Sequence, residues 1–164
     1  MKKVKFRRRR QGKTDYKTRL ALLASKLPRL VARKTNLYII GELMHSKEAQ
    51  DSVECYTNSK ELLQYGWQGS MKNLPAAYLA GFLLGCKAKD KEKKAILDIG
   101  LQNSTKGSRI YAFVKGAIDA GLSIKCKQEM FPSEERIKGK DTKAEARKNF
   151  SVTKEKIKEK WSKK

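Results

Sequence analysis

Hydrophobic and polar positions alternate between Pro28 and Leu43 (PRLVARKTNLYIIGEL) as they do in a sheet. Successive residues of an extended strand point to opposite faces, so Arg29, Val31 and Arg33 share one face while Leu30 and Ala32 take the other. The next run, Leu37-Tyr38-Ile39-Ile40, is β-branched and aromatic, as buried strands are. The pattern predicts two short strands joined at Thr35-Asn36, the first carrying two arginines on an open face. Upstream, Leu20, Leu22, Leu23 and Leu27 recur at roughly helical spacing. They predict a helix over Asp15–Lys26, capped by Thr14 or Asp15, with its apolar stripe packed as core and its end set by Pro28.

Downstream, Asp51–Thr57 alternates like a third strand, with Val53 and Cys55 expected on one face. A helical turn over Ser59–Gln64 and a loop at Tyr65–Gly69 follow, in which Trp67 either anchors its own loop or stacks on a base. Leu74–Lys87 is apolar nearly all round and predicts the most buried helix, with Gly81 and Gly85 permitting close approach to the sheet. After a charged turn at Ala88–Lys93, Ala95–Ile99 reads as a fourth, central strand covered on both faces. A helix over Arg109–Ala120 places Ile110, Phe113, Val114, Ala117 and Ile118 in the core and stops at Gly121. From Asp141 onward the chain is lysine-rich, with Phe150, Ile157 and Trp161 near one side of a helix. That stretch reads either as a solvated tail or as a helix that orders against RNA or a neighbouring protein.

Charge changes the picture. Lys+Arg number 39 against 17 Asp+Glu, a net +22 with a pI near 10.0. Self-repulsion on that scale points to a polyanionic partner, nucleic acid first and an anionic membrane surface second. No apolar run approaches the ~20 residues of a membrane span, and the arginine-rich N-terminus lacks the apolar core of a secretory signal. Arg7 to Arg10 are consecutive, and Phe6 and Tyr16 flank them, so Tyr16 is a candidate for stacking on bases beside the arginines. Arg29 and Arg33 are candidate phosphate forks on a rigid strand. Lys106 and Arg109 lie at the start of a helix whose free N–H groups suit a phosphate. The order of Lys106 and Gly107 is the reverse of a Walker loop, which excludes an ATP site of that kind.

Catalytic chemistry finds little material. The three cysteines (Cys55, Cys86 and Cys126) are far apart and form no Cys-x-x-Cys pair, and His45 is the only histidine. This argues against a structural metal, a Ser-His or Cys-His scheme, or a cofactor, and suits a reducing intracellular setting. Asp98 and Asp119 keep one alternative open, a structure-specific RNA-processing nuclease or modifying enzyme. The preferred expectation is that the chain is not an enzyme.

Val4 to Tyr16 (VKFRRRRQGKTDY) resembles the N-terminal signature of archaeal and eukaryotic large-subunit ribosomal proteins that bind 5S rRNA. These are the relatives of bacterial large-subunit protein eighteen, called protein five in eukaryotes. PRLVARKTN at Pro28–Asn36, NLPAAYLAGFLLG at Asn73–Gly85 and GSRIYAFVKGAIDAGL at Gly107–Leu122 agree in order, and Phe131–Gly139 resembles the next block. After Ser123-Ile124 the family commonly has Pro-His, where this chain has Lys125-Cys126. The resemblance implies an α+β domain, a mixed β-sheet with helices packed on one side. It also implies a noncatalytic part of the large ribosomal subunit in the cytoplasm, attaching 5S rRNA to the large-subunit rRNA and a neighbouring 5S-binding protein in the central protuberance. By block, the RNA contacts it implies are Lys5, Arg7, Arg8, Arg9, Arg10 and Lys13 in the arm. On the hairpin they are Arg29, Arg33, Lys34, Thr35 and Asn36, and at the last core helix Arg109. The expected organisation is a basic arm at 1–14, an RNA-binding domain at 15–124, and a lysine-rich C-terminal extension at 125–164 that is partly disordered or helical.

Overall fold

The computed structural model describes residues 4–47, 50–89, 94–140 and 144–162. Lys2 and Lys3, the 90–93 part of the charged turn and residues 141–143 lie outside the described residues. Among the described residues, five strands form one mixed sheet: β1 (Arg29–Lys34), β2 (Ile39–Lys47), β3 (Gln50–Asn58), β4 (Lys94–Asp98) and β5 (Ser123–Ile124). Their order is β3-β2-β1-β4-β5, so β1, and not β4, is the central strand. β1 pairs antiparallel with β2 and parallel with β4, and β5 extends the sheet parallel to β4. The expected α+β fold is the one observed.

β1 lies in the middle because Leu30 and Ala32 are fully buried against the helices. The turn after it is longer than expected: Lys34 pairs with Ile39, and Thr35–Tyr38 make the connection. The Thr35 N–H donates to the Tyr38 carbonyl at 2.8 Å, and the Tyr38 N–H donates to the Thr35 hydroxyl at 2.9 Å. Leu37 is left outside the sheet, 65% exposed. In β3 the register shifts between Leu43/Met44, because Cys55 pairs with Leu43 but Val53 pairs with Met44. That β-bulge puts an extra residue between them and separates what strict alternation joins. Cys55 is buried on the core side, whereas Val53 is exposed, so they do not share a face.

Among the described residues, six α-helices accompany the sheet: α1 (Arg7–Arg10), α2 (Tyr16–Ala24), α3 (Leu74–Ala88), α4 (Arg109–Asp119), α5 (Glu134–Ile137) and α6 (Ala144–Ser162). α3 is buried along nearly its whole length, as its composition requires. Its glycines serve a different neighbour from the one expected. A Cβ on Gly81 would strike the Phe113 carbonyl of α4, one on Gly85 would strike Ala120, and one on Gly116 of α4 would strike the Tyr78 carbonyl. The glycines thus let two helices touch backbone to backbone. Phe113 then reaches the sheet, where its ring fills the space over Gly41. α4 closes in a Schellman pattern, with the Leu122 N–H on the Ala117 carbonyl at 3.1 Å and Gly121 at φ 114°.

α6 packs outside α3. Phe150, Thr153 and Ile157 are buried, and the Phe150 ring lies 5.6 Å from that of Tyr78. The Lys154 ammonium donates to the Tyr78 hydroxyl at 2.7 Å and sits over the Tyr78 and Phe82 rings. Tyr78 in turn donates to Asp119 at 2.8 Å. Burial, and then that carboxylate, push the Tyr78 hydroxyl far above its usual range, so it remains a donor. The turn at Ser59–Tyr65 is a 3₁₀ helix held by a capping box between Asn58 and Glu61. Trp67 is 1% exposed, an anchor beneath its own loop.

Candidate nucleic-acid interface

The N-terminal arm and α2 lie on the sheet face opposite α3 and α4. Asp15 caps α2, accepting from the Lys17 N–H at 2.9 Å, the Thr18 N–H at 3.3 Å and the Thr18 hydroxyl at 2.7 Å. The hydrogen bonds from Thr18 hold its carboxyl below the usual range. Ahead of the cap, all four arginines of α1 are exposed. Phe6 packs against Tyr16 with ring centroids 5.0 Å apart, and the Arg8 Nε donates to Thr14 at 2.8 Å. The arm is therefore folded back on the start of α2. The leucine stripe of α2 is not core: no residue of the helix is buried, and Leu20 and Leu27 are exposed. The sheet beneath offers arginines and carboxylates where an apolar stripe needs an apolar partner.

An ion network runs across that face. Arg19 of α2 pairs with Asp51 of β3 at 2.7 Å, and Asp51 pairs with Arg29 of β1 at 2.9 Å. Arg29 also donates to Asp98 at the end of β4 at 2.9 Å, and Arg33 reaches the other oxygen of Asp98 at 3.0 Å. Burial raises the Asp51 carboxyl, but hydrogen bonds from Arg19, Ser46 and Arg29 outweigh it, and the net shift is downward. Arg33 also donates to the Asp98 and Ala32 carbonyls at 2.7 and 3.0 Å. Gly100, at φ 60°, leaves room for this, since a Cβ there would lie 2.9 Å from the guanidinium.

The two arginines of β1 do share a face, but the face is not open at Arg29. Its side chain is 3% exposed and locked between two carboxylates, because α2 and β3 close over it. Arg33 is 36% exposed at its side chain and keeps donors to spare. On the hairpin, Lys34 and Asn36 are exposed, and the Thr35 hydroxyl is spent closing the turn. Arg8, Lys13, Arg29 and Arg33 line one cavity of about 300 Å³ between arm and sheet. Lys5, Arg7, Arg9 and Arg10 are exposed on the arm nearby in sequence. Lys106 and Arg109 do not line the cavity: Lys106 pairs with Glu129 at 3.3 Å, and Arg109 donates to the Lys72 carbonyl at 3.0 Å. Ser108, at the cap position of α4, makes no side-chain cap.

Sequence reasoning did not find Arg19, Asp51 or Gly100 as parts of this face. In the sequence, Asp98 points only to nuclease-type chemistry, together with Asp119. The structure occupies it with Arg29, Arg33 and the Gly100 N–H, while Asp119 is held by Tyr78 and Lys115. Among the described residues, no three His, Cys, Asp or Glu side chains cluster to hold a metal. No helix among them is long and apolar enough to cross a membrane.

Fold and site together define a class: a small α+β domain with a folded-back cationic arm on one face of its sheet and its helical core on the other. The family model for ribosomal large subunit proteins 60S L5 and 50S L18 matches residues 2–95 and 87–127, and the chain belongs to that family. It is 55% identical over 138 residues to large ribosomal subunit protein uL18 of Korarchaeum cryptofilum, a match covering 84% of this chain and 71% of the relative. It is 50% identical over 138 residues to uL18 of Methanococcus maripaludis, covering 84% and 72%. The chain is thus a structural protein of the large subunit of the cytoplasmic ribosome and not an enzyme.

Proposed function

We propose that the chain binds 5S rRNA and attaches it to the large-subunit rRNA, with the arm and the β1–β2 hairpin as the contact surface and a neighbouring 5S-binding protein beside it. The observation that carries this reading is the folded-back arm, with four exposed consecutive arginines on a helical turn anchored to α2. Family membership supports it. In this reading Lys5, Arg7, Arg9, Arg10 and Lys13 neutralise phosphates, Arg8 and Tyr16 set the arm's course, and Lys34 and Asn36 reach the RNA from the turn. Arg33 offers its remaining donors to the backbone, while Arg29 and Thr35 hold the surface in shape. Lys106 and Arg109 form a separate contact at the start of α4. Folded RNA is recognised by shape, phosphates and 2′-OH groups, with side chains entering loops and bulges.

Filter binding of the purified chain to 5S rRNA, tRNA and duplex DNA tests the reading. Preference for 5S rRNA at physiological salt is expected. If about six to ten phosphates are neutralised, affinity should fall on the order of 10³–10⁵-fold between 50 and 200 mM salt. Equal affinity for all three would overturn the reading.

A further inference from the structure

The cavity between arm and sheet is built for more than a phosphate. Its floor is the face of β1 and β2 carrying Val31, Glu42 and Met44, and Leu22 and Leu101 close its sides. Arg29 lines it as well, is 3% exposed, and its Nε has no hydrogen-bond partner. A buried N–H left unpaired carries a desolvation cost, which an acceptor entering the cavity would relieve. Glu42 stands directly opposite Val31 in the register, and its carboxylate makes no hydrogen bond or ion pair among the described residues. The cavity thus holds an unused donor and an unused acceptor, with the apolar side chains of Val31 and Met44 between them on its floor.

The charge balance decides between ligands. Arg8, Lys13, Arg19, Arg29 and Arg33 line the cavity, and so do the carboxylates Asp15, Glu42, Asp51 and Asp98. Five cations against four anions leave little net attraction for a phosphate, and a dianion beside Glu42 would meet direct repulsion. A neutral planar ring suits the site better, with an acceptor for Arg29, amino hydrogens for Glu42 and faces for Val31 and Met44. Purines and cytosine meet that description. Uracil lacks the exocyclic amino group a carboxylate reads. A volume of about 300 Å³ accommodates one base.

We propose that this cavity receives one unpaired, amino-bearing nucleobase turned out of the bound RNA, read by Glu42 and Arg29 while the arm holds the flanking phosphates. The inference rests on the RNA-binding reading above and adds to it a site for a single base. Glu42→Gln keeps the volume and removes the carboxylate; Leu22→Trp fills the cavity from partly exposed α2. Each is expected to weaken 5S rRNA binding about tenfold in filter binding. The slope of affinity against salt and the thermal midpoint should stay unchanged, since no phosphate contact is lost. A scan of 5S rRNA transcripts, each abasic at one unpaired position, should find one position with the same loss, and that loss should vanish in the Glu42→Gln protein. Both variants binding within twofold of the parent, or losses that add at every abasic position, would overturn the base site while leaving RNA binding intact. A parent protein with no preference for 5S rRNA over tRNA would overturn the underlying reading, and the base site with it.

Discussion

Arg29 is a charge taken almost wholly out of water, and its two carboxylates come from strands that β1 meets only in the folded sheet. Removing one partner of a buried pair leaves the other uncompensated, which costs more than the pair contributes. Asp98→Ala is therefore expected to lower the unfolding free energy in urea by about 3–5 kcal/mol. Arg33→Ala removes a half-exposed guanidinium and should cost about 1 kcal/mol. The two arginines differ in their effects: Arg29→Ala lowers stability as well as RNA affinity, whereas Arg33→Ala acts mainly through RNA affinity. Asp51 adds a pH signature. Its carboxyl titrates below its unfolded value of 3.8, so its contribution is present above about pH 4 and is lost as pH falls through the folded value. Comparing Asp51→Asn with the parent by urea unfolding, the stability gap should be widest near neutrality and narrow steadily below about pH 4.

Among the elements, the α3–α4 crossing and α6 carry the main consequences. Ala is ordinarily better than Gly inside a helix by about 1 kcal/mol. At Gly116 that gain is outweighed, because the added methyl would meet the Tyr78 carbonyl, backbone that cannot swing aside. Gly116→Ala should destabilise the protein by about 1–3 kcal/mol in thermal or urea unfolding. In α6, Ile157 is fully buried. Ile157→Ala should cost about 2–5 kcal/mol and expose α6 to limited proteolysis before the rest of the chain. The widely spaced Phe150, Ile157 and Trp161 of the sequence were the visible trace of this helix. What they face is α3 and the 3₁₀ turn, where the Trp161 indole donates to the Tyr65 hydroxyl at 3.4 Å.

At the scale of the whole molecule, the net charge of +22 is concentrated at the ends, and the arm holds much of it without entering the core. Deleting residues 1–13 should leave the thermal midpoint of the domain unmoved. It should reduce the salt slope of RNA binding by about 0.9 for each phosphate the arm neutralises. A melted domain after that deletion would show that the Phe6–Tyr16 and Arg8–Thr14 contacts support the fold. The elements read from periodicity recur in the folded chain where pattern and environment agree: β1, the buried α3, and the amphipathic α4 with its glycine stop. They diverge where a local pattern is answered by a distant element. The leucines of α2 have helical spacing but meet a charged sheet face, and Val53 and Cys55 alternate in step until a bulge separates them.

Strand alternation, the all-apolar helix, the helix caps and the cationic arm were legible in the chain itself, because each depends on residues within a few positions of one another. The ion network was not. The Arg29–Asp98 bond joins residues 69 apart, and it exists only because β4 runs parallel beside β1 in one particular register. Which arginine is buried and which is presented, and which face the arm covers, was decided by that pairing. Sheet register is a property of two strands at once, and no single stretch of sequence contains it.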